Sequence, residues 1–218
     1  ATERRNYARL GVLIHNNNTT ITRINSNPTV NIEAGGQIQD ILEAIGFICK
    51  SGNKILPVGT NLKIKKEIGT AFKPGANFKN LTTQPHSFVL PAQDPITFNY
   101  ITQTGVELAT TTDINPAIID VNGTFTAMPS TATFASIQRV YIFQNGTVKI
   151  QPGQRSFVDL PTAINLINSG DFINDFDIEN NALFLGAIVL TRNNTNLSNT
   201  AEVIFVPSIG VSGNGSVS

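Results

Sequence analysis

Along the first 25 residues apolar and polar positions alternate: Leu10, Val12 and Ile14 point one way, asparagines at 16–18 supply turn conformations, and Ile21 and Ile24 resume the extended pattern. The spacing predicts an irregular hairpin. Between residues 37 and 45 the period lengthens, with Ile38, Ile41, Leu42 and Ile45 at helical spacing, Gly35-Gly36 ahead of them and Gly46 just beyond. A short amphipathic helix closed by a left-handed glycine follows from that pattern. Over residues 55–68 lysines alternate with leucine and isoleucine, as in a strand with one wet face. Lys63 and Lys65 lie on its solvent side, where they discourage pairing with stray strands. Residues 69–86, with Pro74-Gly75 and Gln84-Pro85, read as loop, and strands at about 87–90 and 96–102 are separated by Pro91 and Pro95.

Residues 110–131 show no sustained period and contain two prolines, which places a boundary or insertion there. Beyond it a strand at 137–143 runs into Asn145-Gly146, the strongest short hairpin signal in the chain, and returns over 147–150. That strand carries Ile137, Tyr141 and Phe143 on one face and Val140 and Ile142 on the other, so it belongs inside a sandwich or between subunits. Residues 159–169 predict a second short helix, with Asp159 as N-cap, Pro161 in the first turn, Leu160, Ala163, Ile164 and Ile167 on one stripe, and Gly170 closing it. Strands at 182–190 and 203–206 follow, and the ending GVSGNGSVS has the composition of a flexible linker. The expected fold is mainly β with two short α-helices, as a β-sandwich or as interwoven trimeric β modules. Two parts are expected, residues 1–130 and residues 131–218.

Composition narrows the chemistry. Only 14% of residues are charged and the net charge is zero, against about 25% charged in an ordinary domain, so binding to nucleic acid is not expected. No apolar run approaches the ~18 residues that cross a bilayer, and the opening ATERRNYARLG lacks the apolar core of a signal peptide. A soluble chain without membrane insertion is expected. Asparagine and threonine supply about a fifth of the residues, the profile of a β-rich surface solubilised by amides and hydroxyls. Cys49 is the sole cysteine, so no internal disulfide and no cysteine-based zinc or redox motif can form; a buried, inert thiol is expected.

His15 and His86 are the only histidines, and neither H-x-H nor H-E-x-x-H occurs, so neither a metal nor another cofactor is expected. The nearest approach to a nucleophile elbow, Gly210-Val211-Ser212-Gly213-Asn214, lacks its closing glycine. Asp171, Asp175, Asp177 and Glu179 form an acidic cluster that paired-carboxylate glycoside hydrolysis or calcium binding would require. Asn180 stands where a calcium loop needs glycine, and the interleaved Phe172, Ile173, Phe176 and Ile178 favour a surface turn anchored by apolar residues. Sugar binding commonly uses an aromatic platform; tryptophan is absent, and of Tyr7, Tyr100 and Tyr141 the last is expected in the core. Arg4, Arg5 and Arg9 make a basic N-terminal patch, read as a docking or solvated arm.

The runs RRNYARLGVLIHNNNTTITRINSNPTVNIEAGGQIQDILEAIGF, FASIQRVYIF, GQRSFVDLPTAINLI and NALFLGAIVLTRNNTNLSNTAEVIFV together resemble tail-fibre and related virion tail proteins of bacteriophages. The family's opening turn with Leu-Leu-x-Gly, hydrophobic strand, polar loop and final strand falls here on residues 181–186, 187–190, 193–198 and 203–206. The resemblance covers most of the chain outside about 70–133. It implies a homotrimeric, β-rich, non-enzymatic section of a tail fibre that positions or presents the host-attachment end of the virion tail. The implied partners are other phage tail proteins and a host surface glycan or receptor, and the implied location is the virion tail, extracellular after phage release. No catalytic residue carries over. Two rivals remain: a tailspike-like glycan depolymerase using the four acids, and a glycan-binding adhesin or lectin module.

Overall fold

Residues 12–16, 20–25, 34–77, 79, 85–167 and 172–208 are described by a computed structural model, in which the chain forms two units, Ala1–Ala44 and Ile45–Ser218. In the first, the early alternation becomes an antiparallel hairpin of β1 (Val12–Asn16) and β2 (Thr20–Asn25), with a register shift between Ile14 and His15. The helical spacing becomes α1 (Ala34–Ile45), and Gly46 follows it at φ 71° as expected.

The second unit opens with β3 (Ile48–Gly52), β4 (Ile55–Pro57), β5 (Ile64–Lys66), β6 (Gly69–Phe72) and β7 (Ser87–Leu90). The single wet-faced strand expected over 55–68 is instead the hairpin β4–β5, because Pro57 and Gly59 interrupt the run and turn the chain back. β3, β6 and β7 form an antiparallel sheet. Next come β8 (Phe98–Tyr100), β9 (Ile118–Val121) and β10 (Thr124–Ala127). Residues 110–131 are no structureless insertion: Ile114, Ile118, Ile119 and Met128 are buried, and β9 and β10 pair across Asn122-Gly123. Those two residues take φ 52° and 83°, the left-handed pair that a tight hairpin turn requires.

The remaining elements are β11 (Ala135–Phe143), β12 (Val148–Gln151), α2 (Leu160–Asn165), α3 (Phe176–Asn181), β13 (Ala182–Thr191) and β14 (Val203–Pro207). The main sheet has the order β14-β13-β11-β12-β8, antiparallel except that β8 runs parallel to β12. It takes β8 from before residue 130 and the other four strands from after it, so the boundary expected at 130/131 falls inside this unit. The mainly β class holds, with a third short helix, α3, added in the acidic stretch. α2 is shorter than expected; Asp159 caps it by accepting from Thr162 N at 2.8 Å, and Gly170 lies outside the described residues.

Alternation along β11 fills both sides of the main sheet. Val140 and Ile142 join Val148, Ile150, Ile188 and Leu190 in the larger core, closed over by Ile55, Ile64, Leu90 and Ile96. On the other face Ala135 and Ile137 pack with Ala187, Val189, Phe157 and the α2 residues Leu160 and Ala163. Tyr141 sits beside Ile101 and Ile178. Both faces of this strand are thus covered by its own chain. No helix among the described residues is long and apolar enough to cross a membrane.

Candidate functional site

The acidic stretch folds as the start of α3. Asp175 is buried and its carboxylate accepts from Asp177 N at 3.0 Å and Ile178 N at 3.4 Å, the geometry of an N-cap. Asp177 accepts from Asn181 Nδ2 at 2.9 Å and lies 3.7 Å from Lys149 Nζ, which also meets Glu107 at 2.9 Å. Glu179 is exposed, and Asp171 lies outside the described residues. The three described acids therefore serve as cap, ion-pair partner and solvated helix residue. No group of three or more His, Cys, Asp and Glu suited to a metal occurs among the described residues.

The other expected chemistry is dispersed. His86 accepts from Gly75 N at 2.8 Å through Nδ1 and closes a loop beside Phe72; His15 lies on β1. Cys49 is half-buried, where a buried thiol was expected, because it sits at the rim of the larger core and accepts from Asn53 Nδ2 at 3.4 Å. Tyr141 is buried as expected and donates to Asn174 Oδ1 at 2.8 Å. Tyr100 is buried too: its hydroxyl donates to Gln138 Oε1 at 3.0 Å and accepts from Asn115 N at 2.8 Å. Burial raises the pKa of both phenols above the usual range. Neither ring offers a sugar platform. Tyr7, Arg4, Arg5, Arg9 and residues 210–214 lie outside the described residues.

Two charged residues were not foreseen from the pattern. Lys63 bonds Asp113 at 3.1 Å and Lys65 approaches Asp94 at 3.8 Å, but the adjacent Lys66 is 1% exposed. Its ammonium donates to Asn53 Oδ1, Glu67 O and Leu90 O at 2.9, 2.8 and 3.2 Å, one acceptor for each proton. Burial holds its pKa below the ordinary lysine value. The signal was the Lys65-Lys66 doublet, since alternation along a strand must turn one of two neighbours inward.

Arg139 is the other. It projects from β11 toward the face covered by α2, and its guanidinium stacks 3.6 Å from the Phe172 ring centroid while Nη2 donates to Ile167 O at 3.0 Å. Together with Ile137, Gly153, Gln154, Arg155, Phe157 and Leu166 it lines a cavity of about 150 Å³. Arg155 lies over the Phe157 ring at 5.1 Å. The cavity brings charge, amide and aromatic groups together, and none of its lining residues except Phe172 belongs to the acidic stretch.

No protein-family model, curated protein or solved structure matches this chain.

Proposed function

We infer that the chain is a structural, non-enzymatic section of a phage tail fibre that associates with copies of itself through its first unit and positions or presents the host-attachment end of the virion tail. The observation that supports it most is the exposure of two isoleucines on α1. Ile38 and Ile41 of α1 are 57% and 58% exposed, and the elements described in the first unit, a two-stranded hairpin and a twelve-residue helix, are each marginal alone in water. Burying the exposed part of each isoleucine is worth about 1 kcal/mol, so packing copies of α1 together stabilises what the unit alone does not. The number three comes from the sequence resemblance. β11 gives association no support, because its own chain covers both faces.

A glycan depolymerase is the less favoured reading, because Asp175 is engaged by two backbone amides and Asp177 by Lys149. Negative-stain microscopy of the purified protein tests the preferred reading: particles with threefold symmetry support it, and uniform single-chain particles contradict it. Incubation with host-surface polysaccharide separates the rival, which requires the polymer to shorten.

A further inference from the structure

We propose that the cavity lined by Arg139 binds a small monocarboxylate, either a free organic acid or the acid group of a sugar, with the Arg139 guanidinium as its recognition group. The inference is independent of the assembly reading. Arg139 carries five N–H donors, and among the described residues its side-chain hydrogen bond goes to Ile167 O. A carbonyl satisfies a donor and leaves the charge. One face of the guanidinium is shielded by Phe172, and burial pushes its pKa down, the mark of a desolvated cation. Among the described residues no carboxylate pairs with it. A partly buried charge with no carboxylate partner among the described residues is costly, and an entering anion offsets that cost.

The shape of the site selects the anion. A carboxylate matches the Arg139 guanidinium fork with two parallel hydrogen bonds. Ile137, Phe157 and Leu166 line the same cavity of about 150 Å³, a size comparable to an apolar cavity that holds one benzene. The ligand therefore combines an acid group with a ring-sized, C–H-rich body. The walls are fixed beforehand: the Gln154 side chain both accepts from Ile173 N and donates to Ile173 O, tying the segment that carries Phe172 to the end of β12. Asp159 anchors the start of α2 beside it. Such preorganisation favours binding.

The test is an NMR titration of the full chain with benzoate and with glucuronate, using benzyl alcohol and glucose as uncharged counterparts and following the Gly153, Arg155 and Phe157 amides. Saturable shifts with a Kd of roughly a millimolar or tighter, from at least one acid and about tenfold stronger than from its uncharged counterpart, are expected. Whichever acid binds more tightly identifies the source. Arg139→Gln weakens that binding at least about tenfold, and Leu166→Trp, which enlarges a lining side chain while leaving Arg139 in place, does the same with the spectrum otherwise preserved. No saturable shift from either acid at ~10 mM, equal shifts from acid and uncharged counterpart, or binding that survives either substitution overturns the proposal.

Discussion

Asparagine shapes the loops of this protein through its own side-chain carbonyl. Asn61, Asn115, Asn145, Asn194, Asn196 and Asn199 each accept from the backbone amide two residues on, at 2.8 to 3.2 Å. These Asx turns fix loop conformation locally, which composition alone registers only as polar surface. Buried polar groups are equally specific. Tyr100, Gln138 and Asn115 close a three-way ring, completed by Gln138 Nε2 donating to Asn115 O at 2.7 Å. Tyr100→Phe leaves an amide and a side-chain carbonyl unpaired, so a loss of about 1–3 kcal/mol is expected in urea unfolding; unchanged stability contradicts the ring's role. The phenols also set an alkaline limit. Their folded pKa values are raised, so above the unfolded tyrosine value of about 10 the unfolded chain loses protons that the folded chain keeps. Stability is fully present below that pH and falls as pH rises beyond it. Tyr100→Phe and Tyr141→Phe together should flatten that limb relative to the parent, measured as Tm against pH.

At the scale of elements, the period of the apolar positions carried most of the information. The hairpin at 12–25, α1, the β11–β12 hairpin and the last two strands lie where the pattern puts them. Failures came where two signals collided. Asn122-Gly123 is as good a turn as Asn145-Gly146, but Pro116 and Pro129 flank it and obscure two four-residue strands. α3 was missed because acids interleaved with aromatics mask a six-residue helix whose start is the Asp175 cap. The register of the main sheet slips at one position that no periodicity reveals. Gly186, at φ 147°, sits where the β11–β13 register slips, and a Cβ there would lie 2.6 Å from Val206 O. Gly186→Ala meets both backbone strain and a main-chain clash. A loss of about 2 kcal/mol or more in urea unfolding is expected; parent-like stability would show that the strand accommodates a side chain.

For the whole molecule, the two-faced character of β11 was legible and its meaning was not. Alternation shows that both sides of a strand are apolar, but only the path of residues 155–165 and 172–181 shows that the same chain supplies the cover. Of the carboxylates singled out from the sequence, Asp175 caps a helix and Asp177 pairs with Lys149, while the cavity around Arg139 gathers residues from four separate stretches between 137 and 172, a juxtaposition that spacing along one strand or helix does not disclose. Ile38 and Ile41 of α1 stand exposed, and the proposed association rests on them. The most direct measurement is the solution mass by light scattering at micromolar concentration, for the parent and for Ile38→Asp/Ile41→Asp. The parent is expected at three times its 23.4 kDa chain mass, and the double variant at the mass of one chain. A parent protein at 23.4 kDa contradicts assembly through the first unit.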